Sequence, residues 1–166
     1  MKYKYAFLWF LVAFILQSAV FHHLPIFGVT PNLVLCFAIL FAFLYEGWHG
    51  MVFGVVFGLI YDLCFSSVIG LSSISFAVSA FVVMCIRGYM YRDSFLNIFG
   101  AGLVGTLVHY FLYWGMITAF GAVHTLVEML RMLPVLVIYH FIVMAVFYLL
   151  VGRRTIRHPQ DRYFDV

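Results

Sequence analysis

Asp62, His109 and His140 are ionisable side chains that lie well inside the apolar stretches of this sequence. A carboxylate in hydrocarbon costs several kcal/mol unless it is paired, hydrated or protonated, so such groups usually face a bundle interior or a cavity. Asp62 and His109 each lie 15 positions beyond the expected start of their helices, which places both at about 22 Å from one end. His140 comes near the same level. We expect a polar contact among the three, and the alternative is three separate interfacial or water-facing positions.

Asp62 also ends a row of glycines, Gly50, Gly54 and Gly58, that are spaced four residues apart. Residues at this spacing lie one above another on a helix face. A row of glycines lets a second helix backbone approach closely, which is a common way for helices to associate in lipid. The row therefore predicts a packing groove. Whether the groove holds a helix of this chain or of a partner is left open by the sequence.

The remaining candidate groups form no pattern of catalysis or metal binding. Cys36, Cys64 and Cys85 lie within apolar runs, without a CxxC pair and without histidines at zinc spacing. The His22-His23 pair has no third ligand nearby in sequence and is typical of a solvated loop. Known nucleophile and phosphate-binding motifs are absent from the sequence. We expect no metal, no cofactor and no enzyme activity, although a membrane enzyme using Asp62 and the histidines stays an alternative.

The composition indicates the elements that must position these residues. Of the 166 residues, 66% are hydrophobic and only 9% are charged, whereas about a quarter of a soluble domain is charged. Because so few charges cannot cover a globule in water, lipid must surround most of the surface. A membrane-spanning helix needs about 20 residues, so the length allows roughly six spans with short loops. We predict an all-α integral membrane protein with six transmembrane helices and no nucleic-acid partner.

Short polar or Gly/Pro segments divide the chain into these helices. Thr125 and Glu128 fit a capping box, which predicts a short interfacial helix that ends before Pro134. The six predicted spans are Tyr5–Phe21, Asn32–Tyr45, Gly47–Phe65, Leu71–Ile86, Ser94 to about Phe120, and a last one from Pro134 to Val151.

The basic residues predict the orientation of these spans. Lysine and arginine are retained on the cytoplasmic side, and six spans with a cytoplasmic start place eight of the nine there. Arg131 is the exception, and it can pair with Glu128 one helical turn earlier. We therefore expect a transmembrane domain over 1–152, a basic cytoplasmic tail over 153–166 and both termini in the cytoplasm. A cleaved signal peptide is disfavoured because the first run is long and aromatic, without a clear cleavage site.

The stretch from residue 31 to residue 83 resembles the rod shape-determining protein MreD family of bacteria. Length, six spans and cytoplasmic ends also agree with that family. Asn32 is a departure, because the family often has aspartate there. The residues that carry the resemblance are Pro31, Asn32 and Leu33 at the second span, Gly50, Gly54, Gly58, Leu59 and Asp62 along the third, and Gly70 and Leu71 at the turn into the fourth.

The resemblance implies a non-enzymatic component of the cell-elongation machinery in the cytoplasmic membrane. It implies the bitopic protein MreC as the direct partner, through its transmembrane segment. The implied neighbours are the glycosyltransferase RodA, a class B penicillin-binding transpeptidase and filaments of the actin-like MreB, all concerned with peptidoglycan synthesis and cell shape. It further implies a fold similar to the S components of energy-coupling-factor vitamin transporters.

That implied similarity supplies the main alternative function, a vitamin-binding S component. Such proteins dock their coupling subunit through small residues four apart on the first span. In this sequence Ala6, Ala13 and Ala19 are not at that spacing, and bulky aromatic residues lie between them. The first span therefore favours the scaffold over the transporter.

Overall fold

The computed structural model describes residues 3–21, 29–45, 47–90, 94–121 and 125–149. Every regular element in these residues is helical. The His22-His23 loop and the tail over 153–166 lie outside this part of the chain. The described residues form six α-helices, which are α1 Tyr3–Leu16, α2 Leu33–Leu44, α3 His49–Phe65, α4 Leu71–Ile86, α5 Phe95–Ala119 and α6 Leu126–Phe147.

Five of the six predicted spans agree with these helices to within a few residues. A π-helical turn, Gln17–Phe21, continues α1, and a 3-10 turn, Arg87–Tyr89, continues α4. The caps of α2 are Asn32 and Tyr45, which are the predicted limits of the second span. The positions of polar residues, proline and glycine therefore predicted where these helices begin and end.

The sixth predicted span is wrong at its start, because there is no separate interfacial helix before Pro134. The predicted capping box is present, with Thr125 and Glu128 each bonded to the other's backbone amide, but α6 runs on through Pro134 without a break. A proline in a helix interior removes one backbone hydrogen bond, at a cost of about 3 kcal/mol in water. Membrane helices tolerate such prolines, and the apolar sequence on both sides of Pro134 sustains one helix.

Helix α2 forms the centre of the bundle. All twelve of its residues are buried, and each of the other five helices packs against it. Around it, α3 packs against both α1 and α4, α5 packs against α4, and α6 against α5. Aromatic rings fill the space between α1, α2 and α3, with Phe10 at 5.3 Å from Phe41 and 5.5 Å from Phe57 between ring centroids. This position explains why α2 is the shortest and most uniformly apolar helix.

Helix lengths differ across the bundle. Three helical stretches, Leu71–Tyr89, Phe95–Ala119 and Leu126–Phe147, are long and apolar enough to cross a membrane, while the stretches Lys4–Ala19, Leu33–Leu44 and His49–Phe65 are apolar but shorter. Helices α1, α3 and α5 finish at one end of the bundle, and α2, α4 and α6 begin at that same end. We call it the distal end. The opposite end is the basal end.

Candidate functional site: a glycine row and buried polar ties

The glycine row of α3 lies inside the bundle, between α2 and α4. A Cβ on Gly50 would come within 2.5 Å of the Ala38 carbonyl oxygen and the Ala42 nitrogen, both backbone atoms of α2. A Cβ on Gly58 would come within 2.7 Å of the Ser73 Cα in α4. Neighbouring backbones can pack this closely only where the side chain is a hydrogen atom.

Gly54, the middle member of the row, is less constrained than the other two. A Cβ there would lie 3.4 Å from the Ala38 Cβ and 3.6 Å from the Phe76 Cβ, which are ordinary contact distances. All three glycines are buried. The glycine row therefore faces α2 and α4 of the same chain.

Asp62 ties the distal end of α3 to the start of α4. Its Oδ2 accepts hydrogen bonds from the backbone amides of Gly70 and Ser72, both at 2.9 Å, and of Ser73 at 3.3 Å. The first amides of a helix have no partner within the helix, and a carboxylate satisfies them well because the helix dipole is positive there. Asp62 is completely buried. It acts as an N-cap supplied by a neighbouring helix.

The turn before α4 makes this capping possible. Gly70 has a φ of 100°, a left-handed conformation that glycine adopts without steric cost. It directs its own amide and the following ones toward Asp62, and Leu71 next to it is buried. The Gly70-Leu71 pair and Asp62 thus form one local arrangement, whereas Leu59, also part of the resemblance, lies exposed on α3.

The structure gives no hydrogen bond that joins Asp62, His109 and His140 to one another in the residues that it describes, because each of the three bonds to other groups. His109 Nδ1 bonds to the Ser75 hydroxyl, and His140 bonds to α2 and α5. Asp62 Oδ1 has no hydrogen-bond partner in the part of the chain that the structure describes. The prediction rested on depth along the helix axes, which does not determine the direction in which each side chain points.

His109 ties α5 to α4. The Ser75 hydroxyl donates its hydrogen to the Ser72 carbonyl at 3.1 Å. In the 2.9 Å hydrogen bond between Ser75 and His109 Nδ1, the imidazole is therefore the donor and the hydroxyl oxygen the acceptor. The ring also lies 5.1 Å from the Phe76 ring and 4.8 Å from the Tyr110 ring between centroids. His109 is therefore a buried donor within an aromatic environment.

His140, Asn32 and Gln17 together satisfy the start of α2. The Asn32 side chain accepts from the Leu35 amide at 3.0 Å, and Gln17 Oε1 accepts from the Leu33 amide at 2.7 Å. His140 Nε2 accepts from the Asn32 amide at 3.1 Å. Because that nitrogen accepts, the imidazole hydrogen is on Nδ1, which faces the Thr106 hydroxyl at 3.0 Å. Side chains of α5, of α6 and of the π-helical turn after α1 thus meet at one buried helix end.

Arg87 satisfies the other end of α2. Its Nη1 donates to the Ala42 carbonyl at 3.1 Å and to the Tyr45 carbonyl at 2.5 Å. A cation at a helix C-terminus also interacts favourably with the helix dipole. Both ends of the buried α2 are therefore held by side chains from other helices.

Sequence reasoning missed several of these groups, although one of them carried a signal. Gln17 follows Ala6, Phe10 and Ala13 at spacings of four, three and four, and all four face the bundle interior. A polar side chain at the end of an inward stripe predicts a buried hydrogen bond. Thr106 and Ser75 carried no such signal, because short hydroxyl side chains often bond to their own helix.

Comparison with known proteins identifies the family. The family described as rod shape-determining protein MreD matches residues 2–153 of the 166, which takes in all six helices, the glycine row and Asp62. No curated protein and no solved structure matches the chain, so the expected similarity to transporter S components stays a prediction. The family resemblance is confirmed: the chain belongs to the MreD family of rod shape-determining proteins.

Proposed function

We propose that this chain is a non-enzymatic membrane scaffold of the bacterial cell-elongation complex, and that it acts by binding the transmembrane segment of MreC. Membership of the MreD family connects the chain with rod shape. We extend that membership to the binding of MreC. Through MreC, the chain supports peptidoglycan synthesis by RodA, a class B penicillin-binding transpeptidase and MreB filaments.

The proposed arrangement has six spans in the cytoplasmic membrane, with the basal end and both termini in the cytoplasm. Three long apolar helices and three shorter ones support it. The shortest, α2, has about 18 Å of helix, less than the hydrocarbon thickness of about 30 Å. Because other helices enclose α2 completely, its length does not need to match the thickness of the bilayer.

One observation carries the proposal of binding rather than chemistry: five of the polar side chains inside the bundle hold helix ends. Asp62 caps α4, and Gln17, Asn32 and His140 bond to backbone amides at the start of α2. Arg87 bonds to carbonyls at its other end. Groups engaged in this way rigidify a bundle, and a rigid bundle with an apolar exterior suits a scaffold.

The test is affinity purification of the tagged chain from native membranes in a mild detergent. We expect MreC to be recovered in a stable ratio with the chain. Recovery of a transporter ATPase module without MreC would instead support the alternative, a substrate-binding S component. A second readout is cell shape, because cells that lack the chain should become round and regain rod shape when it is restored.

A further inference from the structure

The helices of the bundle end at different levels at its basal end. Helix α3 has 17 residues and α5 has 25, a difference in length of about 12 Å. Contacts between helices show which residues are level with each other. Gly58 of α3 meets Ser73 of α4, and Ser75, two residues nearer the basal end, bonds to His109 of α5. Gly58 is therefore level with Phe111, two residues distal of His109.

These levels place the difference in length at the basal end. Phe65, the last residue of α3, comes level with Thr118, one residue before the end of α5. His49, the first residue of α3, comes level with Gly102, whereas α5 begins at Phe95. At the basal end, α5 therefore extends beyond α3 by seven residues, which is about 10 Å of helix.

A second set of contacts leads to the same alignment. A Cβ on Gly50 of α3 would lie 2.5 Å from the Ala38 carbonyl oxygen and the Ala42 nitrogen of α2. A Cβ on Gly105 of α5 would lie 2.6 Å from the Ile39 side chain, also of α2. Because Ile39 lies between Ala38 and Ala42, Gly105 and Gly50 are level to within about 3 Å, as the first set of contacts also requires.

Helix α1 is aligned with α3 and packs against it. The Phe10 ring lies 5.4 Å from the Phe53 ring and 5.5 Å from the Phe57 ring between centroids, so Phe10 is level with the residues between these two. Tyr3, the first residue of α1, is seven residues basal of Phe10 and comes level with the start of α3. We call α1 and α3 the short flank.

Helices α4 and α6 are aligned with α5. The 3-10 turn after α4 continues to Tyr89, 16 residues basal of Ser73, whereas α3 has only nine residues basal of Gly58. The Tyr148 ring, which follows α6, lies 5.1 Å from the Phe95 ring between centroids. All three helices therefore extend past the short flank at the basal end, and we call α4, α5 and α6 the long flank.

Side chains at the basal end show that the two flanks become polar at different levels. On the short flank, Lys4, Tyr5 and Trp48 are all exposed, and tryptophan and tyrosine are typical of the membrane–water interface. On the long flank, Leu96 and Leu149 are 76% and 50% exposed. The long flank is therefore still apolar beyond the level at which the short flank carries a charge.

A flat edge of the hydrocarbon layer cannot suit both flanks. An edge at the end of the long flank would place Lys4 about 10 Å inside the hydrocarbon, deeper than its side chain reaches, where a charge is strongly disfavoured. An edge at the end of the short flank would place Leu96 in water, where apolar surface is unfavourable. We infer that this chain thins the bilayer on one side, with the basal edge of the hydrocarbon about 10 Å nearer the bilayer centre along α1 and α3 than along the long flank.

The inference assigns a lipid partner of defined chemistry to each flank. Short or disordered acyl chains match the 17 residues of α3, and longer chains match the 25 residues of α5. The inference rests on the six-span arrangement of the proposed function, because it takes lipid to surround both flanks. It adds an action on the membrane itself, which the binding of a protein partner does not require.

Depth measurements with spin labels in lipid vesicles test the inference. The exposed Cys64 and Cys85 are replaced by alanine, the buried Cys36 is kept, and one cysteine is introduced by Tyr5→Cys or by Leu96→Cys. The full chain is reconstituted in dioleoyl phosphatidylcholine with phosphatidylglycerol. Collisions of each nitroxide with oxygen and with a water-soluble nickel complex give its depth. We expect equal depths for the two labels, whereas a label at Tyr5 that is about 10 Å deeper than one at Leu96 indicates a flat edge and overturns the inference.

A third label separates this failure from failure of the six-span arrangement. Val56, in the middle of α3, is 43% exposed and should lie deep in the hydrocarbon whether its edge is flat or stepped. A label at Val56→Cys that collides freely with the nickel complex would overturn the six-span arrangement itself. Thermal unfolding at the temperature of the unmodified chain shows that each labelled variant is folded.

Discussion

Asp62 shows how a single buried residue acquires a structural role from its surroundings. Its Oδ2 accepts hydrogen bonds from the backbone amides of Gly70, Ser72 and Ser73, so its carboxylate replaces the hydrogen bonds that the start of a helix lacks. The negative charge adds a favourable interaction with the helix dipole. We expect the hydrogen bonds to the carboxylate oxygen to contribute more to stability than the interaction of its charge with the helix dipole.

Asp62→Ala should therefore lower the free energy of unfolding by about 2 kcal/mol, because it leaves buried amides without an acceptor. Asp62→Asn keeps an acceptor oxygen and should lose less than half as much. Thermal unfolding of the purified variants in detergent measures the difference. Equal losses for both variants would indicate that the charge, rather than the acceptor, matters at this position.

At this scale the sequence predicted which residues are buried but not what they bind. Asp62, His109 and His140 are all buried as expected. Their partners include backbone amides and the hydroxyls of Ser75 and Thr106. A sequence gives the position of a side chain along its helix, but the choice of partner depends on helix rotation and on which helix end lies nearby.

At the scale of elements, the contacts of α3 separate three glycines that look equivalent in the sequence. Gly50→Ala and Gly58→Ala should each destabilise the bundle by about 1–3 kcal/mol, because the added methyl group meets backbone atoms of α2 or α4. Gly54→Ala has ordinary contacts and gains helix propensity of up to about 1 kcal/mol, so it should be neutral or stabilising. Gly54→Leu, which adds much more bulk, should disrupt the packing.

Unfolding measurements on the three alanine variants test this ranking. If Gly54→Ala were the most damaging of the three, the glycine row of α3 could not lie between α2 and α4 with Gly54 at ordinary contact distances. The sequence predicted the groove because four-residue spacing is visible in it. The ranking could not be predicted, because it depends on differences of about 1 Å between neighbouring backbones.

The enclosure of α2 leads to a second prediction at this scale. Gln17→Leu keeps the size of the side chain but removes the acceptor of the Leu33 amide. It should cost about 1–3 kcal/mol, since a buried donor is left unpaired. Ser18→Ala is the matched control, because the Ser18 hydroxyl bonds to the nearby Ile15 carbonyl and holds no other helix among the described residues, so the change should have little effect. A loss as large for Ser18→Ala would contradict this account.

At the scale of the whole molecule, the orientation can be tested directly. Alkaline phosphatase, which is active only outside the cytoplasm, should be active when fused after Gly121 and inactive when fused after Met90. A fluorescent protein at the C-terminus should fold in the cytoplasm. The opposite pattern would contradict both the six spans and the assignment of the distal end to the outside.

The composition and the positions of polar residues, proline and glycine predicted the apolar helices and most of their limits. A chain with only 9% charged residues has few alternatives to such helices. The same features could not predict that α2 is central, since that depends on tertiary packing. Pro134 shows the limit of local rules. Its usual effect on a helix was overridden by the continuous apolar sequence around it.

The two ends of α2 also constrain the order in which the protein matures. His140 bonds to Asn32 across 108 positions of the sequence, and Arg87 bonds to Ala42 across 45. The ribosome therefore delivers α2 to the membrane well before the residues that complete its hydrogen bonds have been synthesised. Final closure of the bundle must wait for the last helix, and any chain truncated before His140 is left with an unfinished core that quality-control proteases can recognise.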